Sequence, residues 1–142
     1  MDTLSPTERS ERMGRVRSTD TKPELTVRRL VHSLGFRYRL HDRKLPGTPD
    51  LVFSSRRKIL FVHGCFWHRH GPRCPLTRLP KSKLEFWLRK LEQNHTRDEK
   101  NIKRLRADGW RVMVVWECEL SNLEAVTRRI ITFLERRALK IG

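Results

Sequence analysis

Residues 63 to 70 read His63-Gly64-Cys65-Phe66-Trp67-His68-Arg69-His70, and Cys74 follows four positions later. Two thiols, three imidazoles and two adjacent large aromatics therefore share twelve residues. Cysteine and histidine are the usual ligands of zinc. Imidazole exchanges protons near neutral pH. Aromatics held on a rigid loop can wedge between stacked bases. A folding core has no need of that mixture.

Four residues separate Cys65 from His70, and three separate His70 from Cys74. Cys118, the remaining cysteine of the chain, stands just past the apolar run at 111–116. Four such donors suit a closed tetrahedral zinc site that ties the loop after one strand to the end of another. Buried free thiols beside unrelated histidines are the plain alternative. An odd, sparse set of cysteines does not make a disulfide framework.

Asp50 follows Gly47-Thr48-Pro49 and opens one arm of an apolar hairpin whose other arm ends at His63. A carboxylate with His63 and His68 close by can hold Mg²⁺ and activate water; an acid at a strand start can equally be a turn residue. The long helix after residue 82 carries an apolar stripe at Leu84, Trp87, Leu88, Leu91, Ile102 and Leu105. The same spacing brings Asn94 or His95, and then Asp98, onto that face. Asn94 and Asp98 could meet the site histidines or pair within the helix. Glu24 is explained by helix capping alone. Phe66 and Trp67 are core or wedge, and Met13, on a basic arm, could enter DNA from the other side.

Lys and Arg number 32 against 16 Asp and Glu, a formal net charge of +16 over 142 residues. Such an excess repels itself unless a polyanion offsets it, and a nucleic-acid backbone is the usual one; a generic basic surface is the alternative. The length fits one domain. No apolar run is long enough to span a bilayer, and Met1-Asp2-Thr3-Leu4-Ser5-Pro6 has no apolar core of a signal peptide. A cytoplasmic protein with reduced thiols is expected.

The elements that must position these residues follow from local signals. Residues 1–20 form a basic DNA-binding arm, and residues 21–142 a single domain. Thr21-Lys22-Pro23-Glu24 is a capping box that opens a helix to about Leu34, stopped by Gly35. Phe36-Arg37-Tyr38-Arg39-Leu40 alternates as a strand does. Asp50–Phe53 and Lys58–Val62 make a hairpin around Ser54-Ser55-Arg56-Arg57. Ser82-Lys83-Leu84-Glu85 caps a helix to about Ala107, closed by Gly109. Arg111–Trp116 is a buried strand, and Ser121-Asn122-Leu123-Glu124 starts a last helix to about Leu139. This order predicts an α/β fold, a mixed central sheet flanked by helices.

With these residues assembled, the chain resembles the very short patch repair (Vsr) endonucleases over nearly its whole length. The resemblance is carried by Arg12-Met13-Gly14, Thr21 to Glu24, Leu45-Pro46-Gly47-Thr48-Pro49-Asp50, Phe61 to His68, Glu85-Phe86-Trp87, Asn94 to Asp98, and Gly109 to Cys118. It implies a restriction-endonuclease-like core and a nick 5′ to the thymine of a T:G mismatch, which arises when 5-methylcytosine deaminates. It implies that Asp50 and the backbone carbonyl of Val62 bind Mg²⁺, that His68 is the base or proton shuttle, and that His63 assists at the scissile phosphate. Glu24, Asn94 and Asp98 would support them. Cys65, His70, Cys74 and Cys118 would hold structural Zn²⁺, and Met13, Phe66 and Trp67 would intercalate. The expected protein is a monomer on double-stranded DNA with a T:G mismatch. It would be associated with the nucleoid through DNA, with mismatch-repair proteins as partners and no membrane. A non-catalytic, zinc-stabilised DNA-binding module is the rival reading; a catalytic zinc is disfavoured because four protein ligands leave no open position.

Overall fold

The computed structural model describes residues 20–136 except 69, 72, 73 and 78. Helix α1, Lys22–Ser33, starts as predicted: the Thr21 hydroxyl accepts from the Glu24 amide, and Pro23 occupies the first turn. Leu34 caps it and Gly35, at φ +91°, turns the chain away. Val27 and Val31, one turn apart, are the face it buries.

The sheet has the order β1-β2-β3-β4. Strand β1 is only Arg39–Leu40, shorter than the alternation from Phe36 predicts. The pairing Arg39↔Val52 and Leu40↔Leu51 runs out because β2, Leu51–Phe53, bends directly into a 3-10 turn at Ser54–Arg56. Phe36 and Tyr38 keep their apolar role, packing on the core without a ladder partner. Arg57, left-handed at φ +55°, closes the hairpin into β3, Lys58–His63. Strands β2 and β3 are antiparallel, with Leu51 opposite Leu60. Helix α2, Leu84–Ala107, then carries the chain back so that β4, Arg111–Trp116, lies parallel to β3, from Lys58↔Arg111 to His63↔Trp116.

Side chains alternate across the sheet. Leu51, Leu60, Val62, Met113 and Val115 meet α1 and a last helix, α3 (Leu123–Glu135). Val52, Ile59, Phe61 and Val112 meet Leu105 of α2 on the other face. Strand β3 is buried along its whole length, which explains its unbroken apolar run. No described helix is long and apolar enough to cross a membrane.

Some helix ends differ from their predicted form. The chain enters α2 through Lys83 in the left-handed region, with no side-chain cap, so the Ser82 capping box does not form. Leu84, at 43% exposed, precedes the buried stripe, which begins at Trp87. The box at Ser121–Glu124 is also displaced by one residue: Asn122 rather than Ser121 caps α3, accepting from the Ala125 amide at 3.2 Å, while Ser121 bonds to the Cys118 carbonyl. The helix stops at Glu135 rather than near Leu139, because Arg136 turns extended.

The cause lies in β3. Lys58 is 3% exposed, and its ammonium donates to the carbonyls of Phe133 (2.5 Å), Leu134 (3.0 Å) and Arg136 (2.5 Å). One buried cation thus satisfies the open carbonyls at the negative end of α3. Replacing Lys58 by Met leaves them without that donor. We expect Lys58→Met to cost about 2–3 kcal/mol, read as a lower urea midpoint at unchanged slope.

Candidate active site and metal centre

One cavity of about 330 Å³ opens where β2 begins and β3 ends. The turn before β2 delivers Asp50 there: Gly47 has φ +78°, and a Cβ on it would meet Asn101 at 3.2 Å and Phe61 at 3.3 Å, so only glycine fits. Asp50 Oδ2 accepts from the Val62 amide at 2.7 Å. Glu24, His63, Phe66, His68, Asp98 and Glu117 line the same cavity.

His63 and His68 are stacked, with ring centroids 3.9 Å apart and 4° between planes. His68 Nδ1 lies 2.5 Å from Asp98 Oδ2. Asn94, one turn before Asp98, donates to the Trp67 carbonyl at 3.3 Å, and His95 Nδ1 lies 3.4 Å from the His68 carbonyl. The polar groups on the buried side of α2 therefore grip the loop that carries the histidines. Asn94 holds backbone rather than imidazole. Asp50, His63 and His68 line one cavity, as the hairpin predicts; within it Asp50 accepts from Val62, and His63 stacks on His68. Two close sets of potential ligands border the cavity, His63, His68 and Asp98, and Asp20, Glu24 and His41, each within 4.8 Å of one another.

Burial decides the charges. His63 is 5% exposed and is pushed down to about 2 by burial, then by His68 and His95, so its imidazole is neutral at physiological pH. Its Nδ1 is buried with no hydrogen-bond partner among the described residues. Asp50 is pushed up to about 8 by burial; the Val62 amide opposes this and the hydrogen bond with Glu24 adds to it.

Sequence reasoning missed His41. Its Nε2 lies 3.0 Å from both Glu24 oxygens, and its amide donates to the Asp50 carbonyl at 3.2 Å. Arg28 holds Glu24 from the other side at 3.0 Å. His41 sits in a loop at φ +46°, where no periodicity could reveal it.

The second cluster stands beside the first. Ligand atoms of Cys65, His70, Cys74 and Cys118 lie within 4.8 Å of one another, so this set could hold a metal ion. The Cys118 amide donates to Cys65 Sγ at 3.3 Å, and Cys118 Sγ is 3.4 Å from His70 Nδ1. The His70 ring stacks on Trp116 at 4.2 Å. Burial pushes the Cys65 and Cys118 thiols above their usual range, where only a cation would favour thiolate.

Trp67 is 8% exposed and packs with Trp87 and Leu91, so without DNA it sits in the core. Phe66 is half-buried against the same cluster, 5.7 Å from Trp87. Met13 and the basic arm at 1–19 lie outside the described residues.

A family model described as DNA mismatch endonuclease Vsr matches residues 1–74. The type II nicking enzyme V.XorIIP of Xanthomonas oryzae pv. oryzae is 54% identical over 134 residues, 94% of this chain and 97% of its own. The type II nicking enzyme V.NmeAIP of Neisseria meningitidis is 42% identical, over 95% of this chain and 94% of its own. The DNA mismatch endonuclease Vsr of Escherichia coli K12 is 41% identical, over 87% and 78%.

Because its folded value lies above the ordinary 3.8, folded Asp50 holds a proton that the unfolded chain has released, from pH 3.8 up to about 8. Its contribution to stability therefore falls as pH rises through that window. Asn at this position keeps a donor towards Glu24 and an acceptor towards Val62, with no charge to bury. In metal-free buffer Asp50→Asn should melt close to wild type near pH 5 and above it at pH 8. A melting difference that does not change with pH would refute this account of Asp50.

Proposed function

The chain belongs to the Vsr DNA mismatch endonuclease family, and from that premise we propose that it nicks one strand of duplex DNA 5′ to the thymine of a T:G mismatch, by Mg²⁺-dependent hydrolysis of the phosphodiester. The observation that carries this reading is the cavity itself. In a chain of net charge +16, four carboxyl groups, Glu24, Asp50, Asp98 and Glu117, converge on one small space beside a pair of stacked histidines. An acidic hollow in a basic protein suits a hard cation, and the basic surface suits the DNA that brings a phosphate to it.

Asp50 and the backbone carbonyl of Val62 would hold the ion, which when bound supplies charge stabilisation at the attacking and leaving oxygens. The chain's own groups do the rest. Asp98 favours the tautomer of His68 with the proton on Nδ1, leaving Nε2 to take a proton from the attacking water. Neutral His63, with Nδ1 unpaired among the described residues, is suited to a hydrogen bond at the scissile phosphate. Asn94 fixes the Trp67 carbonyl and so the position of His68, while Glu24, between His41 and Arg28, steadies Asp50.

The three-sulfur, one-imidazole set of Cys65, His70, Cys74 and Cys118 fits structural zinc with no open position. The sheet and its flanking helices are then the core of a restriction-endonuclease-like domain, residues 21–142, preceded by a DNA-binding arm. Phe66, backed by Trp67, enters the stack from one side and Met13 from the other. Unstacking costs a few kcal/mol and less at a mismatch, which gives mismatch selectivity a physical source. The protein would act as a monomer and hand its nick to repair proteins.

The decisive assay uses end-labelled matched and T:G duplexes with and without Mg²⁺. We expect a nick 5′ to the mismatched thymine only with Mg²⁺, and His68→Ala slower by about 10²–10⁴-fold. Equal cleavage of both duplexes would remove mismatch specificity, and binding without cleavage at any metal concentration would favour a non-catalytic module. For the zinc, mass spectrometry under native conditions should find one Zn²⁺ per chain, lost in Cys118→Ser together with thermal stability. A metal-free wild type of equal stability would sink it.

A further inference from the structure

A second and larger cavity, about 820 Å³, lies along β4, the edge strand, between the end of α2 and the flank of α3. Five arginines line it: Arg106, Arg111, Arg128, Arg129 and Arg136. Arg128 is paired with Glu124 and Arg129 with Glu119, but Arg106, Arg111 and Arg136 pair with no carboxylate among the described residues. Trp110 and Phe133 supply apolar walls.

At one residue of β4 both outward backbone groups are open among the described residues. The Arg111 amide donates to Arg57 on the β3 side at 3.0 Å, so odd-numbered residues of β4 face β3 and even-numbered ones face the groove. Two of the groove-facing groups are occupied by side chains: Arg106 donates to the Val112 carbonyl at 3.4 Å, and Glu119 accepts from the Trp116 amide at 3.0 Å. Val114, between them, turns both N–H and C=O outward with no partner among the described residues. That is the hydrogen-bonding pair an added antiparallel strand requires.

The groove is separate from the cleavage cavity. The two share no lining residue: Val114 opens towards the free edge, while its partner on β3, Phe61, lines the cavity from the other side of the strand pair. A DNA phosphate could accept from the arginines and the Val114 amide, but it would leave the Val114 carbonyl without a donor. An extended polypeptide satisfies both, and acidic side chains on it would meet the unpaired arginines.

We propose that the β4 groove receives an extended acidic segment of a partner protein, which adds a strand at Val114 and sets carboxylates against Arg106, Arg111 and Arg136. The probe is a fluorescein-labelled octapeptide repeating Glu-Glu-Val-Val, which presents acid and valine alternately on each face; the control carries Lys for Glu. With the full chain, the acidic peptide should bind by anisotropy, the control should not, and the Val112 and Val114 amides should shift in NMR spectra. Arg111→Gln with Arg136→Gln should weaken binding at least about tenfold. Val114→Pro, whose lost N–H points away from β3 and so is tolerated on an edge, should do the same. Neither should alter duplex nicking. The proposal fails if the acidic peptide does not bind, if its shifts fall in the cleavage cavity, if the double variant binds as well as wild type, or if matched duplex DNA displaces the peptide and shifts the same β4 amides.

Discussion

The parallel pairing of β3 with β4 is the constraint on which the rest depends. Six residues of each strand run in register, and the pair ends with His63 beside Trp116. Whatever follows either strand is therefore released at the same end of the sheet. The loop after β3 carries Cys65, His68 and His70, and the turn after β4 carries Cys118. The cysteine–histidine cluster and the acidic cavity are both consequences of that shared end. A slip of one residue would turn His63 to the opposite face and separate Cys118 from Cys65.

Electrostatics divides this small molecule in two. The chain as a whole carries +16, which suits a polyanion. The cavity is the exception, with carboxyl groups drawn from α1, the β2 entry, α2 and the turn after β4. Asp50 is too buried to carry its charge readily without a cation, while His63 is too buried to gain one. Burial thus disfavours the charged form of both groups. The same physics appears in Lys58, whose buried charge is held by backbone carbonyls and fixes where α3 ends.

Much of the candidate site could be read from the chain because local chemistry reports it. The twelve residues from His63 to Cys74 concentrate donors that no core requires, and the break in the apolar stripe of α2 marks Asn94 and Asp98. The hairpin, β4 and the helix start at Thr21 have local signals that the structure bears out, and the last helix starts one residue beyond its predicted cap, at Asn122. The failures are places where a neighbour overrides a local rule. Strand β1 shortens because β2 bends into the 3-10 turn at Ser54 just where Tyr38 would pair. The Ser82 cap is lost because Lys83 turns left-handed. The end of α3 is set by a lysine about 75 positions earlier in the chain.

The sequence by itself determined the types of group present, the family, and the order of strands and helices, because composition, spacing and capping act over a few residues. Tertiary structure alone decided which group faces which. It gave Asp98 to His68, His41 to Glu24, and the Val62 amide to Asp50. It also withdrew Trp67 into the core and exposed the backbone of Val114 along an arginine-lined edge. These partners lie 12 to 30 positions apart, and their meeting depends on strand register and helix docking. No local pattern encodes a register, because it is set by burying both faces of β3 at once.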